Sequence, residues 1–88
     1  MAELYEHRLK RLRMRSMRRG IKEMDIILSA FADEHLAEMS DAELLQYDSL
    51  LNENDQDLYQ WVTGQHSPPD ELADLVTRIA VQFQDKTA

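Results

Sequence analysis

Apolar residues recur along this chain at intervals of three and four, in five separate runs, and only two glycines and two prolines interrupt them. That interval is the period of an α-helix with one buried face, and it leaves little room for strands. Val and Ile are sparse beside Leu, Met, Ala, Glu, Asp and Gln, which again favours helix. With 88 residues, the chain is expected to form an all-α, compact five-helix bundle, a single small domain spanning residues 1–88. A chain of this size buries only about 60–65% of its unfolded surface, so its stability margin is modest.

The first helix is expected over residues 3–18, with Tyr5, Leu9, Leu12 and Ser16 on one stripe and the arginines mostly off it. Gly20 is expected to stop it in a left-handed conformation, leaving Arg18 and Arg19 in the last turn, where cations favour the helix dipole. A second helix should run from Ile21 to Glu34 on the face of Met24, Ile27, Leu28 and Phe31, with Leu36 and Met39 packing in the connection. Ser40-Asp41-Ala42-Glu43 is a capping box that opens a third helix to Leu51. A polar break at 52–55 precedes a fourth helix from Asp55 to Thr63, ended by Gly64. Pro68 and Pro69 introduce a fifth, carrying Leu72, Leu75, Val76, Ile79, Ala80 and Phe83, with residues 85–88 expected to fray.

Charge is unevenly placed. Residues 1–24 hold eight Lys/Arg against three Glu, whereas residues 25–88 hold two against fourteen acids, and the whole chain carries −7. A basic segment on an acidic body suits an acidic protein surface, an anionic ligand or a nucleic acid, although the acidic body repels phosphate backbones. A solvated helix face explains such a run equally well. The chain has no cysteine, so disulfides and thiolate metal sites are excluded and a reducing compartment is expected. Glu3 and Glu6 sit badly in an Arg-rich transit peptide, so a bacterial cytoplasmic location is expected, with a trimmed organellar protein as the alternative. No apolar run reaches the roughly 20 residues needed to span a bilayer, and no membrane insertion is expected.

Few constellations suggest chemistry. His7, His35 and His66 are scattered, which gives no metal-ligand spacing, and the carboxylates fall at helical intervals. There is no phosphate-binding glycine loop or calcium loop. An enzyme is not expected, because five short helices seldom enclose a pocket. The aromatic residues Phe31, Tyr47, Tyr59, Trp61 and Phe83 fall at core positions, while Tyr5 and His7 lie on the basic helix and can be exposed.

What remains is Arg19-Gly20-Ile21-Lys22-Glu23, where one glycine closes the basic segment. Gly20 can end one helix and Glu23 can serve as a capping acid for the next. The same residues also suit a binding site, since glycine admits a close backbone approach and the Arg–Glu pair forms charge-assisted hydrogen bonds of both polarities. Chemistry alone leaves the two readings open.

At these residues the sequence resembles the succinate dehydrogenase FAD assembly factors, small flavinylation-promoting proteins with an R-G-x-x-E signature. The resemblance runs from about residue 7 to 70. It takes in R-R-G-I-K-E-M-D at 18–25, Leu28, Phe31, Leu36, Met39, Leu44 and Tyr47, and then L-L-N-E-N-D-Q-D-L-Y-Q-W at 50–61 with Gly64 and the prolines. The signature positions Arg19, Gly20 and Glu23 show no departure, while beyond Glu71 the match is only amphipathic. The resemblance implies a non-catalytic helical bundle that binds the flavoprotein subunit of succinate dehydrogenase, and often of fumarate reductase. It promotes covalent attachment of FAD to a client histidine, acting on FAD held by the client rather than binding a cofactor itself. Carried over, Arg19, Gly20 and Glu23 form the partner-binding patch, supported by Asp25, Arg15 and Arg18. A monomer without nucleic-acid binding is expected; the alternative is a nucleic-acid-binding or antitoxin-like regulator that uses the Arg-rich first helix.

Overall fold

The computed structural model describes residues 4–87, with side chains described through residue 84. Five α-helices follow in order: α1 (Tyr5–Ser16), α2 (Lys22–His35), α3 (Asp41–Leu50), α4 (Asp55–Val62) and α5 (Ala73–Thr87). The all-α five-helix architecture expected from the apolar period is thus the observed one, and no strand occurs among the described residues. Single 3-10 turns at Leu36–Glu38 and Asp70–Leu72 lead into the segments before α3 and α5.

α2 is the central element, packed against α1, α4 and α5. Its Met24, Ile27, Leu28, Phe31 and Ala32 are buried, the spacing that gives a helix one continuous apolar face. Leu44, Tyr47 and Leu50 of α3, Leu58 and Val62 of α4, and Leu75, Val76 and Ile79 of α5 complete one contiguous core. Leu36 and Met39 pack into it from the connection, as their sequence positions suggested. Truncating a fully buried member such as Leu28 to Ala costs about 2–5 kcal/mol.

Local signals set most helix ends. Ser40 Oγ accepts the Glu43 N–H at 3.2 Å while Glu43 Oε1 accepts the Ser40 N–H at 2.9 Å, the reciprocal capping box. The Ser40 amide is the main reason that the Glu43 carboxyl titrates below its ordinary range. Asn54 Oδ1 accepts the Gln56 N–H at 2.8 Å and caps α4. Gly64 has φ +81°, so a left-handed glycine follows α4.

The first two helices depart from expectation. α1 ends at Ser16 and its flanking residue Met17 is already extended. The left-handed residue is Arg18, with φ 56°, rather than Gly20. Arg18 and Arg19 therefore lie beyond the helix, and the last turn holds Arg13 and Arg15. α2 begins at Lys22 after an uncapped Ile21, and Glu23 does not reach back as a capping acid. At the other end α5 is helical through Thr87, and Ala88, also in the segment expected to fray, lies outside the described residues.

Candidate functional site

Segment 17–21, the corner between α1 and α2, is held by two carboxylates. Asp25, in the first turn of α2, accepts the Arg18 backbone N–H on Oδ2 at 2.8 Å and the Ser29 hydroxyl on Oδ1 at 3.3 Å. This bond stabilises the left-handed turn at Arg18, a conformation most side chains disfavour. Asp55, the first residue of α4, reaches the corner from the opposite side. Its Oδ1 accepts Arg19 Nε at 2.8 Å and its Oδ2 accepts the Gly20 backbone N–H at 2.6 Å.

Arg19 is a cross-brace. Its Nη1 donates to the carbonyls of Arg15 at 3.0 Å and Leu51 at 3.2 Å, and its Nη2 to that of Glu53 at 3.4 Å. The Arg19 and Asp55 side chains are only 12% and 17% exposed, so this is not a solvated surface pair. The guanidinium satisfies carbonyls near the C-terminal ends of α1 and α3 that their own helices leave unpaired. It ties the α1–α2 corner to the α3–α4 junction.

Farther along α1 the arginines are paired as well. Arg11 grips Asp48 through two bonds of 3.1 and 3.0 Å, and Arg15 binds the same carboxylate and also Asn52 Oδ1 at 2.6 Å. Arg8 faces Asp41 at 3.5 Å. Hydrogen bonding from Arg11, opposed in part by burial and assisted by the charges of both arginines, holds the Asp48 carboxyl below its ordinary range. The pairing has a period: Arg8, Arg11, Arg15 and Arg19 face Asp41, Asp48 and Asp55, aspartates seven residues apart. Sequence reasoning missed these acids, although the spacing was visible; what it lacked was the relative placement of α1, α3 and α4.

The six residues expected to bind a partner thus divide. Arg19 and Asp25 turn inward and hold the corner, Gly20 gives its N–H to Asp55, and Arg15 is clamped to α3. Glu23 and Arg18 have exposed side chains with no side-chain hydrogen bond or ion pair among the described residues. A concavity of about 290 Å³ lies where the corner meets the start of α4, lined by Gly20, Ile21, Asn54, Asp55 and Gln56. The corner is therefore a rigid framework that presents a free anion and a free cation.

Residues 10–82, which span the corner, match the family described as the flavinator of succinate dehydrogenase. The chain belongs to that family. Similar proteins include the mitochondrial succinate dehydrogenase assembly factor 2 of Saccharomyces cerevisiae, 45% identical over 78 residues, or 85% of this chain and 47% of the relative. Those of Candida glabrata and Penicillium rubens are 49% and 50% identical over 69% and 72% of this chain, and over 40% and 20% of their own lengths. The chain thus spans less than half of each of these relatives. Membership in the flavinator family bears out the resemblance seen in the sequence.

The same relatives overturn one expectation. All three are named mitochondrial, against the bacterial cytoplasmic location expected above. Neither the lack of cysteine nor the presence of Glu3 and Glu6 singles out the bacterial cytoplasm, which is why the sequence alone misplaced it.

Proposed function

We propose that this flavinator-family chain is a succinate dehydrogenase assembly factor and a helper rather than a catalyst. It binds the flavoprotein subunit of succinate dehydrogenase or fumarate reductase and promotes covalent attachment of FAD to a histidine of that client. The observation that carries this reading is the family match across residues 10–82, which includes the whole corner. The flavin held by the client supplies the reactive carbon, and this chain contributes position. Holding the client with its histidine and flavin in attacking geometry lowers the entropic part of the barrier, and dipoles of the client then act on the developing charge.

Within the patch, Glu23 and Arg18 meet the client, and Arg19, Gly20, Asp25 and Arg15 hold them in register. The nucleic-acid alternative loses support from the same geometry, because Arg8, Arg11, Arg15 and Arg19 are already paired with three of the chain's own aspartates. Glu23 would also repel a phosphate backbone.

The test is co-expression of the client with the wild type, Glu23→Ala and Gly20→Arg, with covalent flavin read by in-gel fluorescence. Glu23→Ala is the decisive variant, because Glu23 makes no side-chain hydrogen bond or ion pair among the described residues. Gly20→Arg drives a side chain toward Asp55 and must be judged beside its circular dichroism. Loss of flavinylation by a folded Glu23→Ala protein is the expected result. Full flavinylation by that variant would refute the role given to the motif.

A further inference from the structure

We infer that Asp55 is a positioning residue for client binding, and that residue 20 is glycine in order to admit the Asp55 carboxylate rather than the backbone of a partner. Glycine is usually required for one of two reasons, a positive φ or a close approach. The first does not apply, since the left-handed residues are Arg18 and Gly64. For the second, a Cβ built on Gly20 would meet Asp55 Oδ2 at 3.1 Å. That oxygen has little freedom to retreat. It already accepts the Gly20 N–H at 2.6 Å, and the other oxygen of the same carboxylate is bound to Arg19 Nε at 2.8 Å.

The consequence reaches Glu23 through the backbone. Asp25 belongs to α2 itself, so its bond to Arg18 ties the loop to α2 but does not fix α2 against the rest of the bundle at this end. Asp55 belongs to α4, and its bond to Gly20 supplies that external reference two residues before α2 begins. Ile21 offers no side-chain cap, so beside the apolar anchor of Met24 in the core, Asp55 is the polar tie that sets the entry to α2 against α4. Glu23 lies in the first turn of α2 next to buried Met24, and the Asp55 tie sets where its exposed side chain stands relative to α4. The signature therefore divides into Arg19 and Gly20, which build the corner with Asp55, and Glu23, which the corner displays.

The partner in this inference rests on the assembly-factor reading, and two double-mutant cycles separate the claims. The first needs no partner. Gly20→Ala is made in the wild type and in Asp55→Ala, and thermal stability and exchange of the residue-20 amide are measured. Gly20→Ala is expected to lower stability in the wild type and to be nearly silent once the carboxylate is gone. An equal loss in both backgrounds would overturn the account of the glycine. Asp55→Ser, which also takes the carboxylate away from residue 20, replaces Asp55→Ala if that variant fails to fold.

The second cycle measures affinity for the purified flavoprotein subunit of succinate dehydrogenase by calorimetry. Glu23→Ala is expected to weaken binding roughly tenfold or more in the wild type, the range for a charge-assisted hydrogen bond, and to have little further effect in Asp55→Ala. Its effect on thermal stability is expected to be small in both backgrounds. If Glu23→Ala costs the same factor of affinity in both, Asp55 acts on stability alone and the positioning role is wrong. Should the wild type not bind the subunit at all, the assembly-factor reading and the positioning role fail together, while the first cycle still decides the account of Gly20.

Discussion

Ser16→Ala should destabilise this protein more than its size suggests, because it strands a buried hydroxyl elsewhere. Ser16 and Tyr47 are both fully buried. Ser16 Oγ donates to the Leu12 carbonyl at 2.7 Å, which uses its only hydroxyl hydrogen. The 2.6 Å contact between the two hydroxyls is therefore the Tyr47 phenol donating to Ser16. The other acceptor near the phenol is the Leu28 carbonyl at 3.5 Å, beyond a normal O–H···O distance. Ser16→Ala leaves that donor unpaired in the core, at a cost of about 1–3 kcal/mol. Tyr47→Phe removes the donor itself while Ser16 keeps Leu12, so it should cost only about 0.5–1.5 kcal/mol. The double variant strands nothing and should be no less stable than Ser16→Ala alone, a coupling of roughly 1 kcal/mol. Urea unfolding followed by helical circular dichroism, with unchanged m values, measures all three. Strictly additive losses, or Tyr47→Phe as the costlier single change, would refute this assignment of donor and acceptor.

Three further outcomes follow from buried or paired groups. Burial, only partly offset by the Ser16 hydrogen bond and the Arg19 charge, pushes the Tyr47 phenol up to about 12 from 10.0. Its folded value is raised, so the stability tied to it is complete below pH 10 and declines as pH climbs toward 12. The decline should be of order 2–3 kcal/mol, absent from Tyr47→Phe in parallel alkaline unfolding curves. Asp48 is shifted the opposite way, so its contribution is complete above the ordinary carboxylate range and fades as pH falls through the lowered value. Asp48→Asn should cost about 1 kcal/mol at neutral pH, and acid titration of stability should show the gap to wild type closing. Gln82 is buried with both amide atoms unpartnered among the described residues, so Gln82→Met should raise stability by about 1 kcal/mol, read as a higher midpoint in urea.

The parts of the fold that were legible in the sequence are those decided within a few residues. The capping box at Ser40, the left-handed Gly64 and the apolar face of α2 each depend on neighbours at fixed helical offsets. The end of α1 was misplaced for the complementary reason. Local rules favoured Gly20 as the left-handed stop, but carboxylates from α2 and α4 compete for the same segment. Asp25 takes the Arg18 amide, so the left-handed residue is a non-glycine, and Asp55 takes the Gly20 amide in an ordinary conformation. Of the candidate site, the stretch itself was evident from its charge, its glycine and its resemblance. Which of its side chains point inward was not, because that depends on Asp48 and Asp55, about 35 residues away in sequence.

By itself the sequence determined that this chain is helical, where its five apolar faces lie, and which family it belongs to. These follow from periodicity and residue type, which are properties of a segment read alone. Only the tertiary structure decided what the arginines do. A guanidinium in water and one braced across three carbonyls have the same sequence, and they differ in whether the folded chain brings an aspartate within 3 Å. Packing the start of α4 against the corner turns Arg19 and Gly20 into framework and leaves Glu23 as the charge presented outward.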